Sequence, residues 1–133
     1  MKHLTAIIFT VFCLSQLGAQ SGAGISFEKE THDFGTIIQN SEAKYTFRIT
    51  NSGDKPLILL DVKPGCSCTV ANYTKEAILP GKSGFITAEF NKTEEVGAFM
   101  KNITVTSNAK GDDSYKMIFV KGTVVSKEKT SGS

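Results

Sequence analysis

Along most of this chain apolar and polar side chains alternate one for one, and Gly, Pro and Asn break the alternation at roughly regular spacing. Tyr45, Phe47 and Ile49 alternate with Thr46, Arg48 and Thr50. Ile86, Ala88 and Phe90 share a parity against Thr87 and Glu89. Phe99, Ile103 and Val105 share one against Asn102, Thr104 and Thr106. Ile25 with Phe27 opens the series, and Ile118, Val120 and Val124 close it, with Gly122 marking a bulge or a close backbone contact. A period of two places each apolar set on one face of a strand, and beyond the first residues there is almost none of the 3.6-residue period of an amphipathic helix. Turn signals separate the sets: Asn51-Ser52-Gly53-Asp54, Pro64-Gly65, Pro80-Gly81 and the polar loop Asn108 to Asp113. Pro56 opens the continuous run Leu57 to Val62, which suits a strand covered on both faces or one at a sheet junction. Ala77-Ile78-Leu79 is a further short strand signal. About seven strands at this spacing predict an all-β fold, an immunoglobulin-like antiparallel β-sandwich, with a small closed barrel as the alternative. The Cys…Trp…Cys signature of antibody domains is missing, because the chain has no Trp.

The first residues follow a different rule. Met1, Lys2 and His3 precede an apolar stretch from about Leu4 to Leu17, followed by small residues. This is the pattern of a secretory signal peptide, and it is short of the roughly 20 apolar residues that span a bilayer. Cleavage after Ala19 is the first expectation and after Ala23 the second. The organisation read from the sequence is a signal peptide at 1–19, a linker at 20–24, one domain at 25–125 and a disordered tail at 126–133 rich in Lys, Ser, Thr and Gly. The remaining ~114 residues are enough to bury a core without staples. Fifteen Lys and Arg against 13 Asp and Glu leave the chain nearly neutral, which argues against a nucleic-acid or polybasic membrane-surface binder. No second apolar segment approaches spanning length. The chain is therefore expected to be exported, to the periplasm or the extracellular space.

With Cys13 in the leader, Cys66 and Cys68 are the two cysteines of the processed chain. Residues i and i+2 of a strand point to the same face with Cα atoms ~6.6 Å apart, at the limit of what a disulfide bridges. A turn after Gly65 brings them closer. The loop so closed is tiny, and the chain-entropy term is only about 1.5 kcal/mol. Three readings stay open: a structural disulfide or packed thiol pair, a redox-active pair, and a soft-metal site for Cu(I) or zinc. Two thiolates do not complete a tetrahedral site, so a metal needs His32, a Met or a second chain. No cofactor is otherwise implied.

His32 is the one histidine beyond the leader. Asp33 beside it points to the opposite face of a strand and does not orient it for nucleophilic catalysis, so His32 to Gly35 reads as a turn whose polar side chains bond to backbone. Asp33-Phe34-Gly35 matches a kinase triplet without the accompanying motifs, and Gly81-Lys82-Ser83 matches the end of a P-loop whose first Gly is replaced by Glu76. No catalytic set emerges, and a non-enzyme is expected. Met117 and Phe119 have the parity opposite to Ile118 and Val120, which makes them a candidate partner face.

Five segments together carry a resemblance: His32-Asp33-Phe34-Gly35-Thr36-Ile37, Asn51 to Leu57, Cys66-Ser67-Cys68-Thr69, Leu79-Pro80-Gly81-Lys82-Ser83-Gly84, and Ser107-Asn108. In this order they resemble domain-of-unknown-function family 1573, exported proteins of Bacteroidetes and related bacteria. The likeness runs from Ile25 to about Val125. It implies an immunoglobulin-like domain similar to the Hydin and major-sperm-protein kind. The family's usual motif is Cys-Gly-Cys-Thr, and Ser67 stands where it has Gly. The resulting expectation is an exported, non-catalytic binding or scaffolding module of the bacterial envelope whose partner is another envelope protein. The alternative is a thiol-based copper or redox protein acting through Cys66 and Cys68.

Overall fold

The computed structural model describes residues 21–127. The leader at 1–19 and the tail beyond Lys127 lie outside these residues. Eight strands follow in order: β1 (Ile25–Phe27), β2 (Thr31–Ile38), β3 (Ala43–Asn51), β4 (Leu59–Pro64), β5 (Thr69–Tyr73), β6 (Ser83–Phe90), β7 (Gly97–Ser107) and β8 (Tyr115–Val125). A 3-10 turn, Gly111–Ser114, precedes β8. The first sheet has the order β1-β3-β6-β5 and the second β2-β8-β7-β4. All neighbours run antiparallel except β2 and β8, which run parallel. The two sheets face each other as an immunoglobulin-like sandwich.

The apolar parities become the two inner faces. Phe47, Ile49, Ile86 and Ala88 from the first sheet and Ile103, Val105, Ile118 and Val120 from the second are buried in one cluster. Each of the larger side chains among them, Ala88 excepted, contributes roughly 1.5–3 kcal/mol of burial. A smaller cluster of Ile37, Ala43, Phe90 and Val124 closes one end, with Phe34, Phe99 and Cys68 packed against it.

The first strand is split. Ile25–Phe27 pairs with β3, then the chain crosses at Glu28 to Glu30 and pairs β2 with β8 instead. His32 to Gly35 is therefore not a free turn but part of β2, interrupted by a bulge between Asp33 and Thr36. The local chemistry still resembles a turn: Asp33 Oδ1 accepts from Gly35 N–H at 2.8 Å, and Gly35 has φ 68°. Leu57 to Val62 is not covered on both faces. Leu57 and Leu59 are buried while Leu60 is 59% exposed. It is a sheet junction: Leu57 bridges to Ile78, and from Leu59 the chain pairs with β7. Ala77 to Leu79 supplies only that bridge, whereas Thr69 to Tyr73 forms an edge strand that its composition did not announce.

Asn51 holds the junction. Its side chain is buried and uses all its bonding capacity, donating to the carbonyls of Lys55 (2.7 Å) and Ile78 (2.8 Å) and accepting from Gly24 N–H (3.2 Å) and Gly53 N–H (2.9 Å). A Cβ on Gly53 would collide with the Gly22 carbonyl. Asn108 repeats the device, donating to Pro56 O and accepting from Ile58 N–H. Pro80-Gly81 makes a type II turn, with Gly81 at φ 78° and Lys82 N–H bonded to Leu79 O.

Candidate functional site

The β4–β5 turn puts Cys66 and Cys68 at the tip of the sandwich. Gly65 N–H bonds to Asn102 O at 2.9 Å, and a Cβ on Gly65 would collide with Asn102 Oδ1, so any larger residue here would have to displace the Asn102 side chain. Cys66 and Cys68 are joined by a disulfide with Cα atoms 5.2 Å apart, shorter than a straight strand allows. Among the described residues Asn40 is the one non-glycine with positive φ, so Ser67 makes this turn without the left-handed conformation a glycine would supply. Thr69, buried under the turn, places Oγ1 3.9 Å from both sulfurs. Cys68 O accepts from Asn91 N–H at 2.9 Å, tying the turn to the loop after β6.

The two sulfurs have different surroundings. Cys68 packs on the end cluster and lines a half-open cleft of about 140 Å³ with Phe90, Lys92, Glu95, Phe99 and Lys101. Phe90 and Phe99 stack at 4.0 Å as its apolar wall. Lys101 lies opposite Val120 in the register, on the parity of Phe99 and Ile103, so it is a cation on the inner face of β7. Sequence reasoning passed over it. The signal was present as a lysine at a core position of an alternating strand, where charged residues are rare. Lys92 pairs with Glu94 at 3.6 Å.

His32 is elsewhere. It stacks on Tyr45 at 3.7 Å and meets Phe34 edge-on at 4.6 Å, with Nδ1 buried and unpartnered. Burial lowers its pKa below the ordinary 6.5, Lys29 adds to that, and Asp33 opposes it. Among the described residues no three His, Cys, Asp or Glu side chains come together as a metal set.

Met117 and Phe119 lie on the outer face of the second sheet. Met117 is 41% exposed and Phe119 half-buried. Tyr115 and, across on β7, Met100 extend the same face, each 60% exposed. The outer face of the first sheet is mostly polar, with Lys44, Thr46, Arg48, Thr87 and Glu89, among which Phe85 and Val70 stand singly. No helix of the described residues is long and apolar enough to cross a membrane.

The family described as "Protein of unknown function (DUF1573)" matches residues 25–124, most of the chain. The chain belongs to the DUF1573 family. No curated protein matches it. Among solved structures it is similar to a protein of unknown function from Porphyromonas gingivalis W83, at 21% identity and TM-score 0.68, over 84% of this chain and 51% of that one. It is also similar to the VesB protease of Vibrio cholerae, at 10% identity and TM-score 0.64, over 75% of this chain and 32% of that one. A third is the ASH/PapD-like domain 7 of human CEP192, at 9% identity and TM-score 0.58, over 77% and 86%. The chain thus spans about half of the first protein and about a third of the second, and these likenesses carry the fold alone.

Most of the DUF1573 segments are explained by folding. Asn51 to Leu57 and Ser107-Asn108 build the sheet junction, Leu79 to Gly84 the type II turn, and His32 to Ile37 the bulged edge strand. The cysteine turn is the segment whose side chains such packing does not use up.

Proposed function

We propose that this DUF1573 chain is an exported binding module of the bacterial cell envelope that engages another envelope protein through the outer face of its second sheet. The observation that carries the reading is the apolar stripe of Tyr115, Met117 and Phe119 along β8, with Met100 diagonal to Phe119 on β7. Outward apolar side chains that adjoin along one strand and across to the next mark interaction surfaces, whereas single ones do not. Lys63, Asp61, Lys121 and Asp33 surround the stripe with charges of both signs, as expected of a polar rim. The leader pattern supports export. The near-neutral charge favours a protein partner over nucleic acid. The test is co-purification from cross-linked envelope fractions of the native host. Met117→Glu is expected to lose the partner that the unaltered chain retains. Retention by the variant, or no reproducible partner for the unaltered chain, overturns the reading.

A further inference from the structure

We propose that Cys66–Cys68 is a thiol–disulfide exchange site, with Cys66 the sulfur attacked, Cys68 the leaving thiolate, and exported peptide dithiols the substrate class. The bridge closes a loop of three residues, so it constrains the unfolded chain little, and both cysteines are half-exposed at the tip of the fold. A bridge of that kind is available to attack without the fold depending on it.

The polarity of the reaction follows from the asymmetry of the site. Cys68, and not Cys66, lines the cleft that holds Lys101, Lys92 and Glu95. Lys92 also pairs with Glu94 at 3.6 Å, so we assign to Lys101, on the inner face of β7, the role of favouring a thiolate there, with Glu95 opposing it. A nearby cation lowers a thiol pKa, and a thiol of lower pKa leaves faster. Thr69 Oγ1 is within reach of either sulfur and can donate to the one that carries charge. Cys66 lies outside that cleft and is half-exposed, which leaves it as the sulfur open to attack.

A substrate thiolate attacks Cys66 Sγ, a bond forms between the two sulfurs, and the Cys66–Cys68 bond breaks with its electron pair passing to Cys68. A second thiolate of the same substrate attacks its own sulfur in this mixed disulfide. The substrate disulfide forms, and Cys66 departs as a thiolate and takes a proton. The substrate dithiol loses two electrons and the pair gains them. A small-molecule disulfide, such as oxidised glutathione, restores the bridge by the reverse chemistry.

The purified processed chain tests this directly. Cys66→Ser leaves Cys68 alone and Cys68→Ser leaves Cys66 alone, and iodoacetamide alkylation of each is followed against pH by intact mass. Half-maximal alkylation of Cys68 is expected about 1 pH unit below that of Cys66. Adding Lys101→Met should erase the difference, and Lys101→Arg should keep it. With the unaltered chain and a reduced two-cysteine peptide, the trapped mixed disulfide should map to Cys66, and Lys101→Met should slow bridge opening about fivefold. Equal titration of the two thiols, a mixed disulfide on Cys68, or no exchange in excess peptide overturns the assignment.

Discussion

Reducing the Cys66–Cys68 bridge should leave the sandwich folded, and the expected cost can be worked out. The bridge joins residues two apart and so closes a three-residue loop. The chain-entropy relation gives about 1.6 kcal/mol at 25 °C for such a loop. A domain of about 107 described residues has a total stability of roughly 5–15 kcal/mol. The bridge is therefore a minor part of the total, unlike the staples of small cysteine-rich domains. Reduction is a cleaner perturbation than Ser substitution, because Cys68 also packs on the end cluster and its sulfur stays in place. The assay is urea unfolding of the processed chain with and without excess dithiothreitol, followed by intrinsic Tyr fluorescence and circular dichroism. With a urea slope of about 1–1.5 kcal/mol/M, the midpoint should fall by about 1–1.5 M at unchanged slope. A chain that unfolds on reduction without urea, or a midpoint loss above about 3 M, would refute the reasoning. The bridge would then be structural.

Other outcomes are equally specific. Asn51→Ala strands two donors and two acceptors of the backbone in a buried site and should cost about 3–5 kcal/mol by urea unfolding, whereas a loss under about 1 kcal/mol would show that water replaces the side chain. His32 has a lowered pKa in the fold, so the unfolded chain binds its proton more readily. Its contribution is full above the ordinary value of 6.5 and is lost as pH falls through the lower folded value. The stability difference between the unaltered chain and His32→Phe should therefore shift against the unaltered chain between pH 7 and pH 5, and a constant difference would contradict the burial of His32. Ser67→Gly should change stability by less than about 1 kcal/mol, because Ser67 already turns the chain without positive φ. A large gain would mean that the serine is held under strain.

The inner faces were legible because alternation is a local signal. Phe47, Ile49, Ile86, Ala88, Ile103, Val105, Ile118 and Val120 were readable as inward residues from parity alone, and they are buried. The elements that escaped are those whose pairing is set by distant chain. β2 contains a bulge at Gly35 that breaks its period, and β5 is an edge strand with one face half in solvent. The extra strand and the parallel β2–β8 pair come from one crossover at Glu28 to Glu30, which no composition change marks. For the site, the cysteine turn stood out by residue type. Lys101 did not, because its meaning arises only when β7 is placed against the end cluster and the loop carrying Lys92 and Glu95 closes over it. The extension of the Met117–Phe119 face to Met100 likewise depends on the β7–β8 register.

The central claim, that the chain binds through one outer face and not the other, is tested most directly by site-specific photocross-linking in exporting cells. A photoreactive residue replaces Met117 on the second sheet or Thr46 on the first, both exposed and both clear of the core. Discrete protein adducts from position 117 with none from position 46 are predicted. Adducts of equal yield at both positions, or at 46 alone, would contradict it.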